Sequence, residues 1–288
     1  YRHTVTSASS SPASSHYLGI QAKIEAQNMA NSGWQYTSSS AYVTFSFWVK
    51  SSVAGTYSVG IRTLDGTAQG YSFDYTLSAD TWKKVTHTIP GNSNITINDD
   101  TGEGFRLAFW IYLGGDYTTS GHTDESWAAY SGSSQTGDFA QNWMTTASAT
   151  FDITGVQLEV GENASDFEFR TFGEELALCH RYFYRWISEN AYGNLCFGVS
   201  VNTTKARGLH TLPVEMRSQP TFSSNGTFRI AEIGGHSENT SAESITRNHK
   251  RTPFMNWTIS NTSLTQGKPA EMGANNDDDA FCDFDAEL

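Results

Sequence analysis

The stretch Phe105-Arg106-Leu107-Ala108-Phe109-Trp110-Ile111-Tyr112-Leu113 carries the longest clean alternation in the chain. Phe105, Leu107, Phe109, Ile111 and Leu113 recur every second residue, as in a strand with one face on a core and the other open to solvent or ligand. The same period runs through Leu18, Ile20, Ala22, Ile24 and Ala26, and through Val43, Phe45, Phe47 and Val49. It returns in Tyr57, Val59 and Ile61, then in Tyr71, Phe73, Tyr75 and Leu77. Ala54-Gly55, Asp65-Gly66 and Pro90-Gly91 punctuate these runs as turns. A last strand over 149–160 changes phase at Thr154-Gly155, which predicts a bulge. Antiparallel strands at this spacing read as a two-sheet β-sandwich, with a jelly roll as the leading topology.

A chain of 288 residues is long enough for two domains. Residues 1–170 form the expected jelly roll, and residues 171–288 a smaller C-terminal β domain. Between them, 173–182 has early acids and late bases, which suits a short helix. Strands return at Leu195, Phe197 and Val199, at Phe228 and Ile230, over 254–259 and over 280–288. The fold class is therefore all-β. Composition agrees: charged residues are only 17% and aromatics 13%, so Ser, Thr and rings fill positions that Glu and Lys occupy in helical proteins.

Lys plus Arg is 18 against 30 for Asp plus Glu, and the net charge of −12 repels phosphate backbones and anionic lipid. Nucleic acid and membrane insertion are excluded as functions on that ground and on the lack of a long apolar run. The chain starts at Tyr1 and is expected to be part of something longer. Cys179, Cys196 and Cys282 show no metal or redox spacing and are expected to be buried free thiols.

Trp48, Trp110 and Tyr112 lie in the opposite phase from the apolar rows of their strands. On the second face of a sheet such rings offer stacking platforms for sugars; alternatively, they pack beneath the long segment 114–147. That segment itself carries Tyr117, Trp127, Tyr130 and Trp143, either a loop-borne recognition surface or anchors of the loop. Alanine at Trp127 and Trp143 is then expected to weaken adsorption and leave the fold intact. Asp99, Asp100 and Glu103 supply hard oxygens for a structural calcium ion, or simply a solvated turn; 275–279 is a second acidic run. No nucleophile elbow, zinc helix or dinucleotide loop is present, and nothing singles out Asp116 and Asp124 as a hydrolytic pair. No enzymatic activity and no organic cofactor are expected.

Gly155-Val156-Gln157-Leu158-Glu159-Val160-Gly161 continues through Phe167-Glu168-Phe169-Arg170 into Glu174-Glu175-Leu176-Ala177-Leu178-Cys179-His180-Arg181-Tyr182-Phe183. This run resembles the junction in many tail-fibre and related virion proteins of tailed bacteriophages, especially those of marine bacteria. Lys23-Ile24-Glu25-Ala26-Gln27-Asn28 and Phe45-Ser46-Phe47-Trp48-Val49-Lys50-Ser51-Ser52 resemble the carbohydrate-binding-module-like jelly roll of the same proteins. Leu212-Pro213-Val214-Glu215-Met216-Arg217-Ser218-Gln219-Pro220-Thr221-Phe222 resembles the entry to their C-terminal β domain, and Phe284-Asp285-Ala286-Glu287-Leu288 their chain end. The likeness covers nearly the whole chain, although His180 stands where the family more often has Gln. It implies a peripheral virion protein, assembled in the host cytoplasm as a homotrimer with other virion proteins, whose jelly roll binds bacterial surface glycans. A non-binding adaptor or decoration protein is the alternative. The third reading is a depolymerase or the binding module of a secreted hydrolase.

Overall fold

Alternating residues of the first half meet as the facing surfaces of two antiparallel sheets. The structure, a computed structural model, describes all 288 residues. In chain order the first unit contains β1 (Arg2–Thr4), β2 (Tyr17–Glu25), α1 (Ala26–Ala30), β3 (Tyr42–Ser51), β4 (Gly55–Thr63) and β5 (Gln69–Leu77). It continues with β6 (Lys83–Pro90), β7 (Glu103–Leu113), β8 (Ala128–Ala129) and β9 (Thr150–Val160). One sheet has the order β1-β9-β3-β6 and the other β2-β7-β4-β5-β8. Phe45 and Phe47 of β3 reach across to Phe109 of β7, with ring centroids 5.5 and 4.9 Å away. Rings meeting edge to face at such distances add to their area burial, and Phe73, Tyr57 and Phe151 extend the same core.

The bulge falls where the phase changes. Ser46 pairs with Gln157 but Trp48 pairs with Thr154, and Gly155 takes a φ of +58° that glycine adopts without steric cost. The row that includes Ala26 ends earlier than the alternation suggests. The amides of Ala26 and Gln27 donate to the carbonyls of Gly102 and Asp100, turning the chain out of β2 into α1.

Asp152 accepts hydrogen bonds from Arg2 Nε (2.7 Å) and Nη2 (3.2 Å), with Lys50 Nζ 3.7 Å away. The Arg2 hydrogen bond, outweighing partial burial and reinforced by the charges of Arg2 and Lys50, holds the Asp152 carboxyl below the usual carboxylate range. A depressed acid stabilises the fold above its unfolded pKa of about 4, and that contribution is lost as pH falls through the folded value. Asp152→Asn should therefore lower the Tm at neutral pH, with the gap from wild type closing as the solution is acidified. A gap that stays constant down to strongly acidic pH would rule out this pair as the source.

The second unit, Arg170–Glu287, is an all-β body by itself; Leu288 groups with Tyr1–Phe169. It comprises α2 (Phe172–His180), β10 (Phe183–Ile187), β11 (Asn194–Asn202), β12 (Lys205–Leu209) and β13 (Thr221–Asn225). Then follow β14 (Phe228–Glu232), β15 (His236–Arg247), β16 (Phe254–Ile259), β17 (Pro269–Ala274) and β18 (Phe281–Asp285). β11-β12-β16-β15-β14-β17 close into a barrel, and β10-β18-β13 form a separate sheet. Met255, Trp257, Ile230 and Met272 fill the core together with Cys282 and Phe284. α2 starts on a capping box in which the Thr171 hydroxyl accepts from the Glu174 amide and the Glu174 carboxylate accepts from the Thr171 amide.

The strand expected at Leu195, Phe197 and Val199 is present as β11, and one expectation for this half needs correction, the burial of all three thiols. A register shift between Asn194 and Cys196 turns Cys196 and Ser200 inward, leaving Phe197 and Val199 outside, where Phe197 pairs across the ladder with exposed Leu209. Of the three thiols, Cys196 and Cys282 are buried, and burial pushes Cys196 up to about 12, but Cys179 is exposed because α2 buries none of its residues.

Candidate functional site

Strand register arranges the outer face of the five-stranded sheet in three rows. Lys23, Arg106 and Arg62 stand side by side on β2, β7 and β4, continuing to Gly70 of β5 and Ala128 of β8. One step along lie Gln21, Ala108, Gly60 and Ser72, and a further step brings Gly19, Trp110, Ser58 and Asp74. Small side chains thus floor a slot between a cationic row and an indole. A Cβ at Gly19 would lie 2.6 Å from the six-membered ring of Trp110, and one at Gly60 would lie 2.7 Å from its Nε1. The indole therefore lies flat across β2 and β4, a pose that only glycine on both neighbours permits.

Segment 114–147 roofs the slot. The Gly114 amide bonds the His16 carbonyl, and the Gln135 amide bonds the Tyr117 carbonyl. Tyr130 rests on Gly70, and its ring lies 3.9 Å from the Arg62 guanidinium carbon, a cation–π contact. The resulting cleft is narrow, with a volume of about 80 Å³, and its lining includes Gln21, Gly60, Arg62, Arg106, Trp110 and Tyr130. Two buried donors on it have no partner within the protein, Trp110 Nε1 and Arg62 Nε. Because buried donors are nearly always satisfied, these are groups that a ligand would pair.

At the rim, Ser72 donates to Asp124 and sits 2.8 Å from His122 Nε2, while His122 Nδ1 is 3.2 Å from Ser134 Oγ. Because His122 Nδ1 faces Ser134 instead of a carboxylate, the acid–histidine–serine order of a hydrolytic triad is not assembled here. The cluster staples the roof to β5. Asp74, whose carboxyl burial pushes upward, accepts from Ser58. Elsewhere, His87 sits 2.9 Å from the Tyr71 hydroxyl and stacks on Phe73 at 3.9 Å; burial lowers its pKa and favours the neutral imidazole.

The seven expected ring residues do not form one surface. Tyr130 lines the cleft, and Trp110 borders it while being only 5% exposed, packed beneath Tyr117 and Phe139 of the segment. Tyr112 packs by Phe139, and Tyr117 packs on the Trp110 cluster, its hydroxyl donating to the Ser15 carbonyl. Trp48, 42% exposed, belongs to the outer face of the opposite sheet. Trp127 packs on the main core and donates to the Pro90 carbonyl at 2.7 Å. Trp143, at 1% exposure, is a core residue bonded to the Thr150 carbonyl. These two are anchors of the segment, and their packing makes a loss of stability, instead of a spared fold, the expected result of replacing them.

The acids proposed for calcium also have other partners. Asp99 accepts from Asn31, Asp100 accepts from the Gly102 amide, and Glu103 is gripped by Arg106 Nε and Nη2 at 2.5 and 2.7 Å. They form no common ligand set. In the second run, Asp277 accepts from the amides of Thr227 and Asp279.

Arg62, Arg106, Gln21 and the two flanking glycines were missed from the sequence. The signal was present, since Arg106 and Ala108 share the outward phase of Trp110 and glycines are unusual inside strands.

No protein-family model matches the chain, and no curated protein matches it. Among solved structures, a protein described as secreted, from Parabacteroides distasonis, overlaps 99% of this chain and 88% of its own at 10% identity, with a TM-score of 0.26. The N-terminal tandem CBM22 domain of Paenibacillus barcinonensis Xyn10C overlaps 99% and 94% at 10% identity, with a TM-score of 0.22. At those scores neither decides a fold or a ligand, and the cleft itself carries the functional reading.

Proposed function

We propose that residues 1–169 form a glycan-binding module that holds its ligand without turnover in the cleft over Trp110. The observation that carries this reading is the flat, glycine-flanked indole with its unpaired Nε1, set in a polar slot beneath Tyr130. Sugars need an apolar face for stacking and fixed polar groups for hydroxyls, and this slot offers the half-buried Tyr130 ring for the first and Arg62 and Gln21 for the second. Its lining carries no carboxylate, so the acid–base pair of glycoside hydrolysis is not assembled there.

The setting we propose is the surface of a bacteriophage particle, as a tail fibre or related peripheral protein assembled in the host cytoplasm. Support for it is the motif resemblance at the 155–183 junction. A homotrimer in contact with other virion proteins belongs to the same reading, and the exposed Phe197–Leu209 pair on the barrel favours self-association. Repeated copies would raise weak single-site affinity through effective concentration. Light scattering on the purified chain tests the trimer, and a monomer at high concentration would remove it.

The binding reading is tested by titrating neutral and acidic oligosaccharides against the full chain while following tryptophan fluorescence and heat. Tyr130→Ala should weaken binding about three- to tenfold, the range expected for one aromatic contact. A folded wild type silent toward every glycan would end the proposal.

A further inference from the structure

We infer that the cleft takes an acidic glycan, one whose uronic-acid carboxylate seats against Arg62. This rests on the glycan reading above and adds the class of sugar.

The chain holds 30 acids against 18 Lys and Arg, yet the cleft lining contains Arg62, Arg106 and His122 and neither Asp nor Glu. The two guanidiniums differ. Arg106 is already neutralised by Glu103 through two hydrogen bonds. Arg62 faces the Tyr130 ring instead of a carboxylate, and its Nε is buried without an acceptor. Three acids of the surrounding strands and roof are held by other partners, Glu103 by Arg106, Asp124 by Ser72 and Asp74 by Ser58. Stacking on Tyr130 orients the planar fork of Arg62, and a planar fork is the partner that a carboxylate matches in two-point contact.

The second orphan, Trp110 Nε1, is also a donor. A site whose unmet groups are both donors selects a ligand rich in acceptors. A neutral sugar could meet the indole but would leave the guanidinium charge uncompensated. Arg106 and Trp110 are four residues apart on β7, about 13 Å along an extended strand, with Ala108 between them. That span is longer than one sugar residue, so an acidic residue at the guanidinium end leaves a sugar further along the same chain, not its immediate neighbour, at the indole end.

The test is calorimetric titration of the full chain with oligogalacturonate, alginate and hyaluronan oligosaccharides, and with the carboxyl-reduced form of whichever binds. Carboxyl reduction should weaken binding about tenfold to hundredfold, as expected for losing a charge-assisted hydrogen bond, and added salt should weaken only the acidic form. Arg62→Gln should show the same loss, and Arg62→Lys a partial one because the ammonium lacks the fork. The reduced-sugar comparison uses wild-type protein, so it decides the matter even if a variant misfolds. Equal affinity for acidic and reduced forms, or binding confined to neutral glycans, overturns the inference and leaves the glycan reading in place. Silence toward both classes overturns the two together.

Discussion

Trp143→Ala should destabilise the first unit by about 3–5 kcal/mol, the range for truncating a fully buried large aromatic. The side chain is 1% exposed within the sandwich core and is among the largest fully buried in the chain. Its loss would open a cavity bounded by rigid sheet. It would also leave the Thr150 carbonyl without the indole donor at the start of β9. Trp48→Ala is the matched control, because that ring stands on an open sheet face and exposed substitutions usually stay within about 0.5 kcal/mol. Urea unfolding of both variants measures the difference. A Trp143→Ala midpoint indistinguishable from that of Trp48→Ala would mean the ring is not part of the core.

Gly60→Val should strongly weaken ligand binding, with a cost in stability of about 1–3 kcal/mol for displacing the buried indole. Valine is a good strand former, and β4 is a central strand of its sheet. Its Cβ, however, would lie 2.7 Å from Trp110 Nε1, so the indole must shift, and the added methyls would occupy the slot. Loss of both the platform and the space should reduce affinity by about 30-fold or more, the scale of a 2 kcal/mol hot spot. Binding unchanged in the folded variant would show that the ligand sits elsewhere, with the outer face of Trp48 as the next place to look.

The architecture of the first half was legible because burial on one sheet face imposes period two on the residues themselves. Phe45, Phe47, Phe105 and Phe109 declared their inward phase, and Thr154-Gly155 its bulge. The barrel was harder to read. β15, His-Ser-Glu-Asn-Thr-Ser-Ala-Glu-Ser-Ile-Thr-Arg, has almost no apolar residues, and its strand conformation comes from pairing with β14 and β16. β17 carries Pro269, Gly273 and three small or flexible neighbours, a composition that reads as a turn until the ladder with β11 and β14 is seen.

The candidate site divides along the same line. Local patterning determined that the chain is all-β, and that Trp48, Trp110 and Tyr112 oppose the apolar phase of their strands. Only tertiary structure decided that Trp48 and Trp110 belong to different sheets, that Trp143 turns inward, and that Arg62 and Arg106 share a row with a floor of small residues beside them. The physical reason is that phase is a property of neighbours along one strand, whereas a cleft is made by register between strands distant in sequence and by the loop that folds back over them.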